Sequence, residues 1–597
     1  MLVLGISAFY HDSAAALTRD GEIIAAAQEE RFSRDKHDSK FPAHAIAYCL
    51  KEAGVTVEDL DLVGFYDKPL LTFDRLLETY LAYAPLGLGS FVRSIPEWVK
   101  DKLLQKTTLS RGLKELSGGE FDDDKLKFGF HHHSHAASAF YPSPYSESAI
   151  VIMDGVGEWA TTTIGKGESN RIDLIDEIRF PHSLGLLYSA FTYYLGFKVN
   201  DGEYKVMGMA PYGEPKYADL IRESLIDIKG DGSFRLRMEN FNYCTGLTMT
   251  TPRFDDLFGA PPRRPTELLT QRHMDIARSV QIVTEDLVLE ICRNAYDKTG
   301  QKNLCLAGGV ALNCVANGRL LREGPFENIW IQPAAGDAGA ALGVALALSH
   351  EVGGVERVRD GHQKDRMCGS YLGPKFNDYE IEDTLKTRCA AYKKLNDSEL
   401  FETIAEALSD GKVTGWFQGR MEFGPRALGN RSILGDPRSE NMQRMLNLKI
   451  KYREGFRPFA PAVLREDVAD YFELDGDSPY MLLVAGVKKD RRREPNEEDK
   501  NKSGFDLLSV KHSDVPAITH VDYSARIQTV DGEANPRFYD LLNAFKKQTG
   551  CGMLINTSFN VRDEPIVCTP DDAYRCFMAT EMDVLVIENF VLYKVEQ

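Results

Sequence analysis

The chain has 597 residues, of which 43% are hydrophobic and 27% are charged, and its formal net charge is −18. This composition is typical of a folded protein of about two to four domains and excludes a disordered or fibrous chain. Because so acidic a chain repels phosphate backbones, we expect no nucleic acid among its partners.

The first residues, MLVLGISAFYHDS, predict a strand and not a signal peptide, because no basic segment precedes the apolar run and His11 and Asp12 interrupt it. The sequence contains no stretch with the ~18 consecutive apolar residues of a membrane span. Its ten cysteines form no CxxC pair, which favours reduced thiols over a disulfide or zinc framework. We therefore expect a cytoplasmic protein without a membrane partner.

Three short strands separated by polar turns open the chain, within residues 2–28, and a helix is predicted over 44–55. The same plan returns from Ser148, where SAIVIMD, ATTTIGKG and RIDLIDEIRF are the predicted strands. Helical patterns follow at 185–196 and 266–298. This repetition predicts two similar lobes that face a cleft.

Two strand–loop–helix units come next, NLCLAGG (303–309) and NIWIQPAAGD (328–337), and each leads into a helix. The stretch 351–370 is predicted to be a linker, because it is Gly-rich, charged and without periodicity. Strands and helices alternate again beyond it. We therefore expect two domains, over 1–355 and 370–597.

The densest chemical signal is HHHSHAASAF, in which His131 and His135 are four residues apart. On a helix this spacing places both imidazoles on one face, near enough to bind one metal ion. Asp154 ends a predicted strand and Asp337 opens a predicted helix, and both carboxylates are expected to point into the cleft. A metal-free His cluster and helix capping by the aspartates are the plain alternatives. Two His and two Asp suit Fe, Zn or Mn better than Mg.

Glycines at three predicted turns favour a nucleotide site, because backbone N–H groups at a helix N-terminus suit phosphate. A single glycine at such a turn is ordinary turn chemistry, whereas three such turns in a duplicated frame indicate a clamp around a nucleotide. The residues concerned are Gly155, Gly157, Gly308, Gly309 and Gly336, with Asn313 on the helix that follows the second turn.

Arginines and lysines are concentrated in GWFQGRMEFGPRALGNRSILGDPR (415–438) and KIKYREGFRPFAP (449–461), among Gly, Pro and aromatic residues. This setting indicates partial burial, and a buried guanidinium needs an anionic partner. In an acidic protein such a cluster predicts an oxyanion pocket that grips phosphate. The candidates are Arg420, Arg426, Arg431, Arg438, Lys449, Lys451, Arg453 and Arg457, with Asn556 in INTSFN as a neutral donor or an ordinary turn residue.

His11 and Asp12 occupy the first predicted turn, and Lys36 follows in QEERFSRDKH. A histidine at a strand end that faces the cleft is suited to take a proton from a hydroxyl nucleophile. A turn in which Asp12 caps the backbone and His11 packs against it explains the pair equally well. Both interpretations stay open.

These motifs resemble the NodU/CmcH family of O-carbamoyltransferases over nearly the whole chain. The most specific match is MEFGPRALGNRSILGDPR (421–438), and the charged segment 490–504, an expected exposed loop, is the part that stays unplaced. The other matching stretches include GISAFYHDSAAAL, QEERFSRDKH, HHHSHAASAF, MDGVGEWATT, GEYKVMGMAPYG, LAGGVALN, AAGDAGAALGVAL, FRPFAPAV, HVDYSARIQTV and INTSFN.

The resemblance implies an α/β chain: a duplicated actin-like (ASKHA) N-terminal domain that holds ATP and an iron-type metal, then a YrdC-like α/β C-terminal domain. It implies His131, His135, Asp154 and Asp337 as metal ligands. It adds Lys205 and Arg526 to the cofactor-binding residues, which also include the glycines, Asn313, Asn556 and the basic residues Arg420, Lys449, Arg453 and Arg457. The implied catalytic residues are His11, Lys36 and Arg426.

The implied reaction has two steps. The C-terminal domain binds carbamoyl phosphate and ATP with Mg and makes carbamoyl adenylate, while arginines neutralise the developing charge. An internal path carries this labile species, protected from water, to the N-terminal site, where the hydroxyl of a small-molecule acceptor attacks. There the metal would polarise the carbonyl or hold phosphate oxygens.

Other functions explain the sequence less well. A tRNA acceptor conflicts with the net charge, and an acceptor from hydrogenase maturation conflicts with the missing acylphosphatase and CxxC zinc fingers. A sugar-kinase-like phosphotransferase accounts for a two-lobed nucleotide site but needs neither the HxxxH pair nor a second Arg-rich region. A non-catalytic nucleotide-binding regulator accounts for least. The acceptor, the metal and a homo-oligomeric state stay open.

Overall fold

The computed structural model describes residues 1–98, 104–357 and 364–597. They form two compact units, Met1–Glu29 with His37–Arg366 and Glu30–Lys36 with Met367–Gln597. The predicted boundary lies near this division, but the sequence did not predict that Glu30–Lys36, which contains helix α1 (Glu30–Ser33), groups with the C-terminal unit. Residues 358–363 of the predicted linker lie outside the described residues.

The N-terminal unit contains two five-stranded sheets and a small two-stranded one. Its strands are β1 (Leu2–Ser7), β2 (Ala14–Arg19), β3 (Glu22–Gln28), β4 (Leu62–Phe65), β5 (Leu126–Phe128), β6 (Glu147–Met153), β7 (Ala160–Glu168), β8 (Arg171–Arg179), β9 (Ile226–Ile228), β10 (Phe234–Leu236), β11 (Asn303–Ala307) and β12 (Asn328–Ile331). Its helices are α2 (Ala43–Ala53), α3 (Pro69–Ala82), α4 (Leu88–Trp98), α5 (Gln105–Ser117), α6 (His131–Phe140), α7 (Leu184–Tyr194), α8 (Glu203–Met209), α9 (Ala218–Ser224), α10 (Pro252–Phe258), α11 (Gln271–Thr299), α12 (Cys314–Glu323) and α13 (Asp337–Ala347).

The two large sheets repeat one topology. The first has the order β3-β2-β1-β4-β5, and the second, read from the corresponding edge, has the order β8-β7-β6-β11-β12. In each sheet the first three strands form an antiparallel meander, and the last two run parallel to the first strand of the meander. The predicted fold class, α/β with a duplicated actin-like N-terminal domain, is confirmed.

Small residues allow α13 to approach its neighbours at backbone distance. A Cβ added to Gly5 on β1 would lie 1.9 Å from the carbonyl oxygen of Ala341, and one added to Gly343 would lie 1.7 Å from that of Ser134 on α6. Only glycine permits such approaches. They bring the first turn of α13 and the first turn of α6 together at one end of the unit.

The C-terminal unit is built on a nine-stranded mixed sheet of order β13-β21-β20-β14-β15-β19-β16-β18-β17. Its strands are β13 (Lys393–Lys394), β14 (Thr414–Phe417), β15 (Arg431–Gly435), β16 (Ala460–Leu464), β17 (Leu483–Gly486), β18 (Ser524–Val530), β19 (Met553–Ser558), β20 (Val584–Ile587) and β21 (Phe590–Tyr593). Its remaining helices are α14 (Asp378–Thr387), α15 (Asp397–Ser409), α16 (Met442–Met445), α17 (Val468–Tyr471), α18 (Pro536–Thr549) and α19 (Pro570–Ala579). This unit is α/β, as predicted, and its likeness to YrdC-type enzymes stays a prediction.

The sequence raised the state of the cysteines and the presence of a membrane span. All ten cysteines are free thiols, and eight of them are buried. Within the described ranges no helix has both the length and the apolar character needed to cross a bilayer.

Candidate active site

Four side chains of the N-terminal unit meet where β6, α6 and α13 converge. His131 and His135 lie on the first turns of α6, Asp154 directly follows β6, and Asp337 is the first residue of α13. His131 Nε2 lies 2.9 Å from Asp154 Oδ2 and 3.2 Å from His135 Nε2. His135 Nε2 lies 3.6 Å from Asp337 Oδ1, and one ligand atom from each of the four residues lies within 4.8 Å of the others.

This geometry fits one metal ion. Metal–ligand bonds of about 2.0–2.2 Å place neighbouring ligand atoms about 3–3.5 Å apart. The His–Asp and His–His atom pairs of this cluster are 2.9–3.8 Å apart, which is close to that spacing. Two buried carboxylates require positive charge beside them. Burial lowers the pKa of His131, Asp154 and Asp337 raise it, and the net result is a rise to about 10. A divalent cation supplies the same charge, and an N2O2 donor set suits Fe, Zn or Mn.

Backbone groups and side chains around the cluster hold the carboxylates in place. Asp154 Oδ1 accepts a hydrogen bond from the Gly309 N–H at 3.0 Å, and Tyr66 Oη donates to Asp337 Oδ2 at 3.4 Å. Gly336, not Asp337, occupies the N-cap of α13, so helix capping does not explain this aspartate. Such outer contacts orient ligands in metal sites.

His11 takes part in both of the arrangements that the sequence left open. Its Nδ1 lies 3.0 Å from Asp12 Oδ2, and its Nε2 lies 3.7 Å from Asp337 Oδ2 in the cluster. Asp12, at φ +52°, also contacts His37 Nδ1 at 2.8 Å, and His37 Nε2 lies 3.4 Å from Asp201 Oδ1. The sequence placed His37 with this group but did not predict Asp201, because 164 residues separate the two.

The predicted nucleotide glycines fall into two groups. Gly308, at φ +88°, is required by packing, because a Cβ would lie 2.3 Å from the Met153 carbonyl oxygen, and a Cβ on Gly157 would lie 3.1 Å from the His131 ring. At Gly155 and Gly336, by contrast, an added Cβ would meet no described atom within 4 Å. Packing therefore does not explain these two glycines, and their contact with a nucleotide stays a prediction.

Two other predicted nucleotide contacts have different surroundings. The Asn313 Oδ1 caps α12 by accepting the Ala316 N–H at 3.1 Å, and its Nδ2 donates to Gln281 at 3.1 Å, so a contact with a nucleotide stays a prediction. Its buried side chain is thus committed within the fold. Lys205 lies on α8 with its Nζ 5.6 Å from the centre of the Phe197 ring.

The C-terminal unit holds a cluster of partly buried guanidinium groups. Burial lowers the pKa of Arg453 well below its usual range, and the charges of Arg457 and Arg526 lower it further against a counteracting effect of Glu454. Arg526 lies on β18, and Arg453 stacks on the Phe459 ring at 4.8 Å. Neighbouring guanidinium groups favour an anionic ligand, which makes this region a candidate phosphate site.

Lys449 and Lys451, the two lysines predicted to bind phosphate, have different surroundings, and their role as ligands stays a prediction. The Lys449 side chain is 57% exposed and pairs with Glu581 at 2.8 Å. Lys451 is buried, and its Nζ donates to the carbonyl oxygens of Ser558 at 2.7 Å and Asn560 at 2.9 Å.

Lys36 groups with the C-terminal unit, although it was predicted to act beside His11. Its charge contributes, after burial and the charges of Arg453 and Arg457, to lowering the pKa of Lys451. The catalytic role of Lys36 stays a prediction.

Two of the predicted phosphate-binding arginines bond to the backbone around the loop between β14 and β15. Arg431 is fully buried, stacks on Phe417 at 3.6 Å and donates to the carbonyl oxygens of Gln418, Gly419, Asn430 and Pro374. Arg420 donates to the carbonyls of Leu372 and Gly373, and its role as a cofactor ligand stays a prediction. Arg438, which follows β15, pairs with Asp436 at 2.7 Å.

Glu422, which sequence reasoning missed, organises the same loop. Its buried Oε1 accepts three backbone N–H groups, those of Leu428 at 2.7 Å, Asn430 at 2.9 Å and Arg431 at 3.2 Å. The partly buried Arg426 lies within the segment that these bonds constrain. Glutamate in a Gly-rich stretch is the only signal in the sequence that pointed to this role.

Asn556, a predicted ligand donor, supports this loop through its amide nitrogen, and its role as a ligand stays a prediction. Its Nδ2 donates to Gln528 Oε1 at 2.7 Å and to the Ala427 carbonyl at 3.2 Å. Gln528 Nε2 donates in turn to the Leu428 carbonyl at 2.7 Å. The donors of Asn556 are thus occupied by the protein.

The chain thus joins a duplicated α/β unit with a metal-type cluster to an α/β unit with a cluster of neighbouring arginines. The model of the carbamoyltransferase N-terminus matches residues 2–346, and that of the carbamoyltransferase C-terminus matches residues 405–594. The chain belongs to the carbamoyltransferase family and is a transferase, as the motifs predicted.

Relatives extend over the whole chain. An uncharacterised protein of Synechocystis sp. is 61% identical over 100% of this chain and 97% of its own length. Nodulation protein NolNO of Sinorhizobium fredii is 38% identical over 98% of this chain and 79% of its own length. The 3'-hydroxymethylcephem-O-carbamoyltransferase of Streptomyces clavuligerus is 33% identical over 48% of this chain and 47% of its own length.

Proposed function

We propose that the protein is an ATP-dependent O-carbamoyltransferase that converts carbamoyl phosphate to carbamoyl adenylate and transfers the carbamoyl group to a hydroxyl of a small molecule. The observation that carries this proposal is that one chain contains both a buried His2Asp2 cluster and a separate cluster of partly buried arginines. Carbamoyl transfer alone would need no second anion site.

The first step is assigned to the C-terminal unit. Water releases phosphate from carbamoyl phosphate, and an oxygen of the resulting carbamate attacks the α-phosphorus of ATP and expels pyrophosphate. Arg453, Arg457 and Arg526 bind the phosphate oxygens, and Mg accompanies the ATP. The loop held by Glu422 presents Arg426 to the same ligands.

The second step is assigned to the N-terminal unit, where the acceptor hydroxyl attacks the carbamoyl carbon and AMP leaves. His11 accepts the hydroxyl proton, and Asp12 orients the imidazole through its contact at 3.0 Å. A metal ion held by His131, His135, Asp154 and Asp337 would polarise the carbonyl group. We propose Fe(II), with Zn or Mn as the alternatives, and an adenine nucleotide approaching Gly155 and Gly336.

The nature of the acceptor is supported by the relatives. The name of the S. clavuligerus enzyme describes transfer to a hydroxymethyl group of a cephem, which is a small molecule. The net charge of −18 disfavours a nucleic-acid acceptor. We therefore propose a small-molecule, natural-product or sugar acceptor in the cytoplasm.

Product analysis of the protein mixed with ATP and carbamoyl phosphate, without any acceptor, tests this function. We expect pyrophosphate and phosphate to be released together, and only when carbamoyl phosphate is present. ADP formation that is independent of carbamoyl phosphate would favour the sugar-kinase-like alternative and contradict the proposal.

A further inference from the structure

A chain of alternating imidazoles and carboxylates leads from His11 away from the metal-type cluster. Asp12 contacts one imidazole with each of its oxygens: Oδ2 lies 3.0 Å from His11 Nδ1, and Oδ1 lies 2.8 Å from His37 Nδ1. The other ring nitrogen of His37, Nε2, lies 3.4 Å from Asp201 Oδ1. The proposed transfer step uses His11 and Asp12 but gives no role to His37 or Asp201.

Two backbone hydrogen bonds tie together the loops that carry the first three of these side chains. The N–H of Phe9 donates to the carbonyl oxygen of Ser39 at 2.7 Å, and the N–H of Ser13 donates to that of Asp38 at 2.8 Å. One donor lies on each side of the first imidazole–carboxylate pair, and both acceptors come within two residues of His37. The contact between the two loops is therefore fixed by the backbone as well as by the side chains.

Left-handed backbone conformations occur at three places along this chain of side chains. Asp12 has φ +52° and His37 has φ +60°, and Asn200, which directly precedes Asp201, has φ +64°. In residues other than glycine this conformation is uncommon and persists where the surrounding structure requires it, commonly at functional sites. Its recurrence at each link indicates that the fold places these side chains for a function.

The charge of Asp12 decides which nitrogen of His11 carries the proton. Burial raises the pKa of Asp12, but hydrogen bonds from His11 and His37 lower it by more, so its pKa lies below the usual range and the carboxylate is ionised. An ionised carboxylate only accepts hydrogen bonds, so each imidazole presents an N–H to it. A neutral His11 with its proton on Nδ1 has a lone pair on Nε2, the nitrogen that lies 3.7 Å from Asp337 Oδ2 in the cluster.

His37 holds this carboxylate in the orientation that His11 requires. Because its Nδ1 contacts Oδ1 of Asp12, the other oxygen, Oδ2, remains directed at His11 Nδ1. Asp201 contacts the opposite edge of the His37 ring, and partners on both ring nitrogens fix the ring orientation. The two outer residues thus act on His11 through Asp12.

We infer that His37 and Asp201 are positioning residues of the transfer step: they hold Asp12 so that His11 keeps its proton on Nδ1 and presents the lone pair of Nε2 to the acceptor hydroxyl. This inference rests on the proposed function for the role of His11 as the proton acceptor. It extends the two-residue arrangement of His11 and Asp12 to four residues drawn from three separate loops.

Nitrogen NMR of the histidine rings measures this effect directly. The full-length protein is labelled with ¹⁵N-histidine and loaded with Zn²⁺, which is diamagnetic, and correlations between ring C–H protons and ring nitrogens report which nitrogen is protonated. The signals that disappear in His11→Asn identify His11. We expect wild-type His11 to be neutral with its proton on Nδ1. A proton on Nε2, alone or together with one on Nδ1, would overturn the inference.

Variants of the two outer residues test their part in this preference. His37→Leu and Asp201→Leu should each lower the ratio of the Nδ1–H to the Nε2–H form of His11, by about tenfold for His37→Leu, the effect of one charge-assisted hydrogen bond. His44→Leu is the matched control and leaves the ratio unchanged, because His44 Nδ1 contacts Glu29 at 2.6 Å in a separate pair. An unchanged ratio in His37→Leu or in Asp201→Leu would overturn the inference.

Two amide variants separate positioning from a general loss of structure. The amide N–H of His37→Asn lies near the position of Nδ1 and should restore the wild-type ratio, whereas the longer His37→Gln places its amide near Nε2 and should not. Equal ratios in these two variants would overturn the inference even if His37→Leu is poorly folded.

The positioning role and the proposed function fail in different ways. Carbamoyl phosphate-dependent pyrophosphate release is measured in the wild-type preparation, and its absence contradicts the proposed function but leaves the proton position on His11 as measured. A His11 ratio that does not respond to His37 contradicts the positioning role alone.

Discussion

His131 and His135 face each other because one turn of α6 separates them, which leaves their Nε2 atoms 3.2 Å apart. With two carboxylates beside them, they favour a shared cation over mutual hydrogen bonding. We expect the wild-type protein to retain about one divalent ion per chain after dialysis. Substitution of a residue that only contacts a metal ligand typically lowers metal affinity about 10–100-fold, and loss of the ligand His135 itself should lower it more. We therefore expect elemental analysis to find little metal in dialysed His135→Ala.

His133→Ala is the matched control, because His133 lies on the same helix but contacts Glu351 at 3.2 Å. It should keep the metal content of the wild type. Equal metal content in His135→Ala and His133→Ala would show that the four side chains do not bind an ion.

Glu422 accepts three backbone N–H groups on one buried oxygen. Glu422→Ala leaves those donors without an acceptor, so we expect the free energy of unfolding to fall by about 3 kcal/mol. Glu422→Gln keeps an acceptor oxygen and should lose less than half as much. Chemical denaturation of the full chain measures both losses. A Glu422→Ala variant with the unfolding free energy of the wild type would show that Glu422 does not stabilise this loop.

Local spacing predicted some site residues and could not predict others. The His131–His135 pair follows from the helical period, which is a property of neighbouring residues. Lys451 is buried and Lys449 is exposed because Lys451 bonds to Ser558, which lies 107 residues later in the chain and could not be identified as its partner from local spacing. The hydrogen bonds of Asn313 to Gln281 and of Asn556 to Gln528 could not be predicted either, because these partners are distant in sequence.

At the scale of the elements, the site depends on the close crossing of α13 with α6. Gly343→Ala would place a methyl group 1.7 Å from the Ser134 carbonyl oxygen, so we expect a loss of about 3 kcal/mol in unfolding free energy. Gly89→Ala on α4, where a Cβ meets no described atom within 4 Å, is the control and should gain about 0.5 kcal/mol. A Gly343→Ala variant as stable as the wild type would contradict this packing.

The N-terminus of α11 predicts a pH dependence of stability. His273 Nδ1 accepts the Thr270 N–H at 3.0 Å, which requires a neutral ring. Burial and then the charges of Arg272 and Arg263 lower the pKa of His273 to about 4, against a smaller opposite effect of Glu267. Because the folded pKa lies below the unfolded value of about 6.5, this contribution is complete above pH ~6.5 and is lost as pH falls towards 4.

Thermal unfolding between pH 7 and pH 4.5 measures this contribution. The wild type should lose on the order of 1–2 kcal/mol more than His273→Gln, whose amide oxygen accepts the same N–H without titrating. Identical pH slopes for the two proteins would show that His273 does not supply the effect.

For the molecule as a whole, the duplicated strand pattern was predictable from the sequence. The helices inserted between the strands and the grouping of Glu30–Lys36 with the C-terminal unit were not. The meander of three strands recurs in the sequence as a pattern of apolar runs and turns, so both copies were found. The connection from β4 to β5 contains α3, α4 and α5, whereas the equivalent connection from β11 to β12 contains α12. The grouping of Glu30–Lys36 with the C-terminal unit depends on contacts such as that of Arg34 with the Ile566 carbonyl, 532 residues away.

The central claim is that activation and transfer occupy different units of one chain. The most direct test is acceptor-free pyrophosphate release from ATP and carbamoyl phosphate in the wild type, Arg526→Ala and His135→Ala. We predict that Arg526→Ala loses at least tenfold in rate, whereas His135→Ala, altered in the other unit, keeps releasing pyrophosphate but forms no carbamoylated alcohol. Loss of pyrophosphate release in His135→Ala together with its retention in Arg526→Ala would contradict this division of the chemistry.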